Sequence, residues 1–101
     1  MNIVTHWTVP LDHPAFPGHF PGRPILPGVV LLDTALHAIA AKTGIALDRC
    51  EIGSVKFLSP VTAGEELMIQ FVTSSGNAIR FDIVTGTRKI ASGSIRPRSS
   101  V

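Results

Sequence analysis

The residues of this sequence best suited to acid–base chemistry are a histidine, His19, and a carboxylic acid, Asp33. His19 lies inside the segment "FPGHFPGRPILPG" (residues 16–28), which contains four prolines. Each proline fixes its own φ angle, so this segment loses little further backbone entropy when it holds one imidazole in place. A lone histidine is more often a packed or surface residue than a catalyst. The dense proline spacing nevertheless favours a rigid loop that positions His19 as a base.

Asp33 lies in the nearly all-apolar run "GVVLLDTALHAIAAKT" (residues 28–43). If this run is helical, Asp33 shares one face with His37, because residues i and i+4 are neighbours on a helix. Burying a carboxylate in an apolar cleft costs free energy unless the carboxylate is paired. Such an environment shifts the pKa of a carboxyl group, which makes acid–base catalysis possible. The alternative is that Asp33 faces solvent or the preceding loop and has a capping role. The sequence pattern leaves both interpretations open.

The third chemical feature is the start of this helix at Pro27-Gly28. The first N–H groups of a helix have no intrahelical acceptor, and they favour an oxygen that gains negative charge. A base, a carboxylic acid and such a helix end would suit removal of a proton next to a carbonyl, followed by loss of a β-hydroxyl group. Spacing along the chain does not show whether the three groups meet.

Other site chemistries are poorly supported. The four histidines lack metal-ligand spacing and Cys50 is the only cysteine, so we predict no metal site. No glycine-rich loop matches a phosphate or dinucleotide fingerprint, and no serine lies in a nucleophile-elbow setting. Nine Lys and Arg against seven Asp and Glu leave a net charge of only +2, which argues against a nucleic-acid partner.

The elements that must position these groups follow from periodicity and turn residues. The pattern of residues 2–9 predicts a strand. Residues 10–27 contain six of the eight prolines, which predicts a long ordered loop. A helix is predicted from Gly28 to about Thr43, ending at Gly44 and apolar nearly all round, as in a helix wrapped by other structure. Four strand-like runs follow: residues 51–58, 66–73, 78–85 and 89–96. The last three should form an antiparallel meander, giving one α+β domain over residues 1–101, with a sheet curling around the helix.

Composition bears on assembly and location. A hydrophobic share of 45% in 101 residues suggests that apolar area is buried against another copy or a ligand, so we expect an oligomer. A well-filled monomer core is the alternative. The first residues lack a signal-peptide pattern, and Asp33 and His37 interrupt the apolar run, so we predict a cytoplasmic protein with no membrane contact.

Basic residues cluster toward the end of the chain, either as a solvated face or as a patch for an acidic partner: Arg80, Arg88, Lys89, Arg96 and Arg98.

Two segments resemble a known family. "GHFPGRPILPGVVLLD" (residues 18–33) closely resembles the signature of FabZ/FabA-type 3-hydroxyacyl-acyl-carrier-protein dehydratases, and "VKFLSPVTAGEEL" (residues 55–67) resembles a strand and turn of the same family. The resemblance covers roughly residues 4–95. It implies the hotdog fold, an antiparallel β-sheet wrapped around one long central helix, and no cofactor. It also implies a dimer in which the histidine of one subunit meets the carboxylate of the other, as a homodimer, a larger hotdog assembly or a heteromeric one.

Roles follow from this resemblance, residue by residue. His19 corresponds to the base that takes the α-proton of the acyl thioester. Asp33 corresponds to the acid that assists departure of the β-hydroxyl as water, and Gly28 to the amide donor for the thioester carbonyl. Phe20 and Leu32 would line a channel for the acyl chain.

One substrate-site position departs from the family pattern. His37 stands where the family usually has a Gln that orients the acid, and an imidazole there can donate a hydrogen bond but can also become charged near neutral pH. The resemblance implies dehydration of 3-hydroxyacyl thioesters on acyl carrier protein to trans-2-enoyl thioesters, in fatty-acid or specialised polyene or lipid biosynthesis. Two alternatives remain: a non-catalytic hotdog partner subunit that binds acyl carrier protein, and a hotdog thioesterase.

Overall fold

The computed structural model describes residues 2–11, 25–73 and 78–98 of the chain. Within these ranges the chain forms one α-helix and five strands: β1 (Asn2–Thr8), α1 (Gly28–Thr43), β2 (Cys50–Phe57), β3 (Glu66–Thr73), β4 (Ile79–Thr85) and β5 (Arg88–Pro97). A short 3-10 turn, Leu47–Arg49, which the sequence did not indicate, connects α1 to β2. The predicted α+β class is confirmed.

The five strands form one antiparallel sheet in the order β1-β3-β4-β5-β2. The predicted meander is present, since β3, β4 and β5 are both consecutive in the chain and adjacent in the sheet. The two-residue turn between β4 and β5 contains Gly86 at φ 56°, a left-handed value that glycine adopts without steric cost. Strands β1 and β2 lie at the two edges, and β2 pairs only with β5 among the described strands.

Alternation along the strands gives the sheet one apolar face and one polar face. One cross-strand row of the apolar face runs through Ile69, Ile83 and Ala91 and ends at Phe57 on the edge strand. The first three of these side chains are buried. The helix packs on this face through Leu31, Ala35 and Ile39, which share one stripe at i+4 spacing and are also buried.

The helix bounds agree with the sequence prediction. The helix begins at Gly28 after Pro27, and Gly44 ends it at φ 77° while its N–H donates to the Ala40 carbonyl at 2.8 Å. With 16 residues, however, α1 is shorter than the long central helix that the family resemblance implied. Nor is it covered on all sides by the described chain, because one sheet can pack on only one face of a helix. Its opposite stripe, Val29, Asp33, His37 and Ala41, is exposed; we call this the outer stripe.

Candidate functional site

Asp33 and His37 lie on the outer stripe of α1, as their spacing predicted. The Asp33 side chain is 71% exposed and the His37 side chain 67% exposed. Of the two interpretations of Asp33 that the sequence left open, a single chain therefore shows the solvent-facing one. The apolar neighbour one turn before Asp33, Val29, is also exposed at 72%.

The His37 ring turns back along the helix toward Asp33. Its Nδ1 lies 2.8 Å from the Asp33 backbone carbonyl oxygen and 3.4 Å from the Asp33 carboxylate Oδ1. The first distance is that of an ordinary hydrogen bond, whereas the second is slightly longer than one. The structure thus brings an imidazole and a carboxyl group together on one helix face.

The N-terminal end of α1 opens on a cavity that the sequence did not predict. The N–H groups of Val30 and Leu31 donate to the Pro27 carbonyl at 3.0 and 3.2 Å, while Gly28 makes no such bond within the described chain. Next to Gly28 lies a cavity of about 320 Å³, which we call the helix-end cavity. It is lined mainly by apolar residues: Ile25, Leu26, Gly28, Leu31 and residues 57–61. Gly28, the first residue of α1, therefore lies beside an apolar space.

The loop of residues 58–65 forms one wall of this cavity and is held by a carboxylate. Glu65 accepts hydrogen bonds from the Thr62 backbone N–H at 2.7 Å and from the Arg88 guanidinium at 2.6 Å. Arg88 also donates to the Pro60 carbonyl at 3.3 Å. Partial burial by itself would raise the pKa of Glu65. The hydrogen bonds from Thr62 and Arg88 and the Arg88 charge together lower that pKa by more than burial raises it, so the pKa lies below its ordinary value. The loop is thus fastened to the β4–β5 hairpin by an ionised side chain.

The remaining site residues predicted from sequence are divided. Leu32 is half-buried and packs against the hydrophobic core, and it does not line the helix-end cavity. His19 and Phe20 lie outside the described residues. Asp33 and His37 do not line the cavity that Gly28 lines. A single chain therefore shows the acid and the amide donor at two separate places.

Sequence reasoning missed Phe57 and Leu58 as site residues. Phe57 is 51% exposed although it lies on the helix-facing side of the sheet, and its ring packs so closely on Gly28 that a Cβ there would lie 3.1 Å from Cε1 and Cζ. Leu58 is similarly exposed at the mouth of the cavity. A signal was present, because two consecutive large apolar residues before Ser59-Pro60 break the strand's alternation.

A larger cavity, of about 690 Å³, lies across the opposite, polar face of the sheet. Its lining includes Lys56, Gln70, Arg80, Asp82 and three serines. It contains neither Asp33 nor the end of the helix, so we place the candidate site at the helix and not in this larger space.

Most of the basic cluster predicted near the end of the chain is ion-paired. Arg88 contacts Glu65 at 2.6 Å, Lys89 contacts Asp82 at 3.4 Å, and Arg96 contacts Glu51 at 3.2 Å. Arg80 and Arg98 have no carboxylate partner among the residues that the structure describes. The positive charge available to an acidic partner is therefore smaller than the sequence count suggests.

The described ranges lack two other classes of site. No group of three or more His, Cys, Asp or Glu side chains there is arranged to hold a metal ion. No helix in the same ranges has the length and apolar character needed to cross a bilayer.

The chain is similar to several known dehydratases. It is 28% identical over 107 residues to the 3-hydroxyacyl-[acyl-carrier-protein] dehydratase FabZ of Chlamydia trachomatis, an alignment that covers 93% of this chain and 70% of that protein. Among solved structures it is similar to the dehydratase heterocomplex ApeI:P from Xenorhabdus doucetiae, with 25% identity, 97% of this chain and 88% of that chain covered, and a TM-score of 0.77.

The fold is shared more widely than the sequence. The fluoroacetyl-CoA thioesterase FlK matches with a TM-score of 0.65 over 94% of this chain and 82% of that one, at only 13% identity, which shows likeness of fold alone. The described sheet and helix are those of the hotdog fold, as predicted. The model of the ApeI-like family, described as ApeI dehydratase, matches residues 1–94. The chain therefore belongs to the ApeI-like family of FabZ-type, hotdog-fold dehydratases.

Proposed function

We propose that this protein dehydrates 3-hydroxyacyl thioesters carried on acyl carrier protein to trans-2-enoyl thioesters, in fatty-acid or specialised polyene or lipid biosynthesis. The observation that carries the proposal is the helix α1 of a dehydratase-family chain, which bears a carboxyl group at Asp33 and begins with the Gly28 amide beside an apolar cavity. An amide donor at a helix N-terminus suits a thioester oxygen that gains negative charge. The apolar cavity suits an acyl group. A cytoplasmic location, predicted from the sequence, is part of the same proposal.

Each group has one role in the proposed reaction. His19 takes the proton from the α-carbon, and the charge that develops on the thioester oxygen is stabilised by the Gly28 N–H. The bond from the β-carbon to its hydroxyl oxygen then breaks, and a proton from the Asp33 carboxylic acid converts the departing hydroxyl into water. Return of the α-proton from His19 to the Asp33 carboxylate restores both residues. Phe20 and Leu32 are proposed to contact the acyl chain, and His37 to contact the substrate or the acid.

The proposed site is shared between two subunits. Within one chain, Asp33 is exposed and does not line the helix-end cavity. In a single chain this carboxyl group therefore lies apart from the amide donor that the proposed reaction also needs. We propose that a second hotdog subunit covers the outer stripe and brings its own His19 and Gly28 to this Asp33. The second subunit is another copy of this chain or a related hotdog chain.

Acyl carrier protein is the proposed donor of the substrate. Because Arg88, Lys89 and Arg96 are ion-paired, Arg80 and Arg98 are the exposed cations of this cluster that remain unpaired among the described residues, and we propose Arg80 as a contact for an acidic carrier.

The proposal is tested by incubating the purified protein with a 3-hydroxyacyl thioester on acyl carrier protein and following loss of water by mass spectrometry. Enoyl thioester should form, and His19→Ala should lower kcat/KM about 100-fold or more, as expected for removal of a general base. His6→Ala is the matched control, because His6 is an exposed histidine on β1 and should leave turnover unchanged. Full activity of His19→Ala would contradict the proposed role.

Two alternatives are separated by the same assay. A non-catalytic partner subunit is favoured by the similarity to a structure described as a dehydratase heterocomplex. Such a subunit would be inactive alone and would support turnover only after addition of a second hotdog chain. A thioesterase is suggested by the fold shared with FlK; it would release free acid instead of enoyl thioester.

A further inference from the structure

The loop of residues 58–65, which we call the wall loop, holds the chain at a point that precedes His19. Val9 donates its N–H to the Glu65 carbonyl at 2.9 Å, and its own carbonyl accepts the Gly64 N–H at 2.8 Å. Val9 is also fully buried. Two backbone hydrogen bonds in opposite directions therefore fix this residue on the wall loop, and we call this contact the first anchor.

The same loop holds the chain again at a point that follows His19. The Leu26 N–H donates to the Val61 carbonyl at 2.8 Å, and Ile25 pairs with Thr62 in an isolated antiparallel bridge. Leu26 and Val61 are both buried. This second anchor directly precedes the start of α1, so the conformation of the wall loop sets both the ends of the chain that carries His19 and the place where the helix begins.

A single carboxylate spans the two anchors. Between them the wall loop turns through Gly64 at φ 85°, a left-handed value that favours glycine. Glu65, which belongs to the first anchor, accepts the backbone N–H of Thr62, which belongs to the second, at 2.7 Å. It also accepts the Thr62 hydroxyl at 3.3 Å. A Glu that satisfies the N–H of a Thr three residues earlier is the arrangement of a capping box, used here to close a turn between strands.

Arg88 ties this closed turn to the sheet. Its guanidinium donates to Oε1 of Glu65 at 2.6 Å, while the Thr62 bonds use Oε2, so the two carboxylate oxygens have separate partners. Arg88 also donates to the Pro60 carbonyl at 3.3 Å. The Glu65 side chain is only 23% exposed, which limits competition from water for these bonds.

We propose that Glu65 and Arg88 are positioning residues: by closing the wall loop and tying it to β5, they fix the two anchors relative to each other, and with them the ends of the chain that carries His19 and the start of α1. The effect on turnover rests on the proposed dehydratase function, whereas the restraint on the anchors does not.

Amide hydrogen exchange, measured by NMR on the intact protein, tests the restraint on the anchors. We expect Glu65→Ala to speed exchange of the Val9 and Leu26 N–H groups about tenfold, as for loss of one hydrogen bond that opposes local opening. Glu65→Gln keeps an acceptor and should have a smaller effect. Gly93→Ala is the matched control, because it disturbs the core away from the wall loop and should leave these two amides unchanged.

Two results would overturn the proposal whether or not the protein is an active dehydratase. One is unchanged exchange of both anchor amides in Glu65→Ala. The other is an equal acceleration of these amides in Gly93→Ala, which would show that they respond to overall stability and not to the wall loop. If Glu65→Ala does not fold, the comparison of Glu65→Gln with Gly93→Ala decides in the same way.

Turnover of a 3-hydroxyacyl thioester tests the positioning effect, at a temperature where circular dichroism shows every variant to be folded. We expect Glu65→Ala to lower kcat/KM about tenfold and Gly93→Ala to change it less than about twofold. Arg88→Lys, which keeps a charged donor, should retain more activity than Arg88→Met, which has similar bulk and no donor. Equal losses within either pair would refute positioning by these contacts. If the wild-type protein forms no product, the proposed function fails and the exchange result alone decides the proposal.

Discussion

Replacement of Glu65 tests how the wall of the helix-end cavity is held. The Glu65 side chain is only 23% exposed, and it accepts the Thr62 backbone N–H at 2.7 Å and an Arg88 N–H at 2.6 Å. In Glu65→Gln an acceptor for Thr62 remains but the charge is lost. In Glu65→Ala the acceptor is lost as well, so the Thr62 N–H must find water.

The magnitude follows from these contacts. Hydrogen bonds to a charged group contribute about 1.5 to 3 kcal/mol when they are well shielded. The Arg88 side chain is 48% exposed, so solvent screening reduces its share to about 0.5 kcal/mol. We expect a loss in the free energy of unfolding of about 1 kcal/mol for Glu65→Gln and about 2 kcal/mol for Glu65→Ala. For a chain of this size, each kcal/mol lowers Tm by about 4 to 8 °C.

The loss should depend on pH with a definite sign. Because the pKa of Glu65 is lower in the folded protein than its ordinary value of 4.5, its stabilising contribution is fully present above pH 4.5. That contribution is lost as the pH falls through the folded-state pKa. The difference in unfolding free energy between wild type and Glu65→Gln should therefore be constant from pH 7 to about 5 and shrink below 4.5.

The assay is urea unfolding followed by circular dichroism, at one fixed protein concentration because assembly would otherwise change the apparent stability. Glu51→Gln is the matched control, since its pair with Arg96 joins two exposed side chains and should contribute less than about 0.5 kcal/mol. The reasoning is refuted if Glu65→Gln is as stable as wild type at pH 7. It is also refuted if the difference between the two proteins is unchanged at pH 3.

Two further predictions concern the core and the carrier. Gly93→Ala places a Cβ 2.7 Å from the buried Phe81 ring, so it should lower the unfolding free energy by about 1 to 3 kcal/mol in the same urea assay. In the double variant with Phe81→Leu, the smaller side chain at position 81 should recover part of that loss. An unchanged urea midpoint for Gly93→Ala would contradict this packing. Arg80→Glu should weaken the binding of acyl carrier protein and reduce the salt dependence of that binding, as measured by calorimetry at two salt concentrations. Lys89→Gln is the control and should weaken binding less, because Lys89 is paired with Asp82. A larger loss of affinity in Lys89→Gln than in Arg80→Glu would exclude Arg80 as a contact.

Local features of the fold were predictable because local chemistry determines them. The helix begins after Pro27, because proline has no backbone N–H to donate to a preceding helical turn. It ends at Gly44, which adopts the left-handed conformation of a C-cap. The strands were found to within one or two residues, since alternation and turn residues are readable along the chain. The pairings of β1 with β3 and of β2 with β5 were not, because they join segments far apart in the sequence.

The candidate site was only partly predictable for a similar reason. The i+4 relation of Asp33 and His37 is a property of any helix, so their contact was foreseeable. The exposure of the outer stripe in a single chain was not foreseeable. An apolar helix has the same sequence pattern whether its own chain or a second subunit covers it. Phe57 was missed because its contact with Gly28 depends on where an edge strand ends relative to the helix.

The most direct test of the central claim is complementation between two inactive variants. His19→Ala and Asp33→Asn each remove one half of the proposed shared site, so each alone should form almost no enoyl thioester. When the two are co-expressed and assemble at random, about half of the dimers contain both variants and each of these has one intact site. The mixture should then recover about a quarter of the wild-type rate. A mixture no more active than the separate variants, in protein shown to have exchanged subunits, would contradict a dehydratase site built from His19 of one subunit and Asp33 of the other.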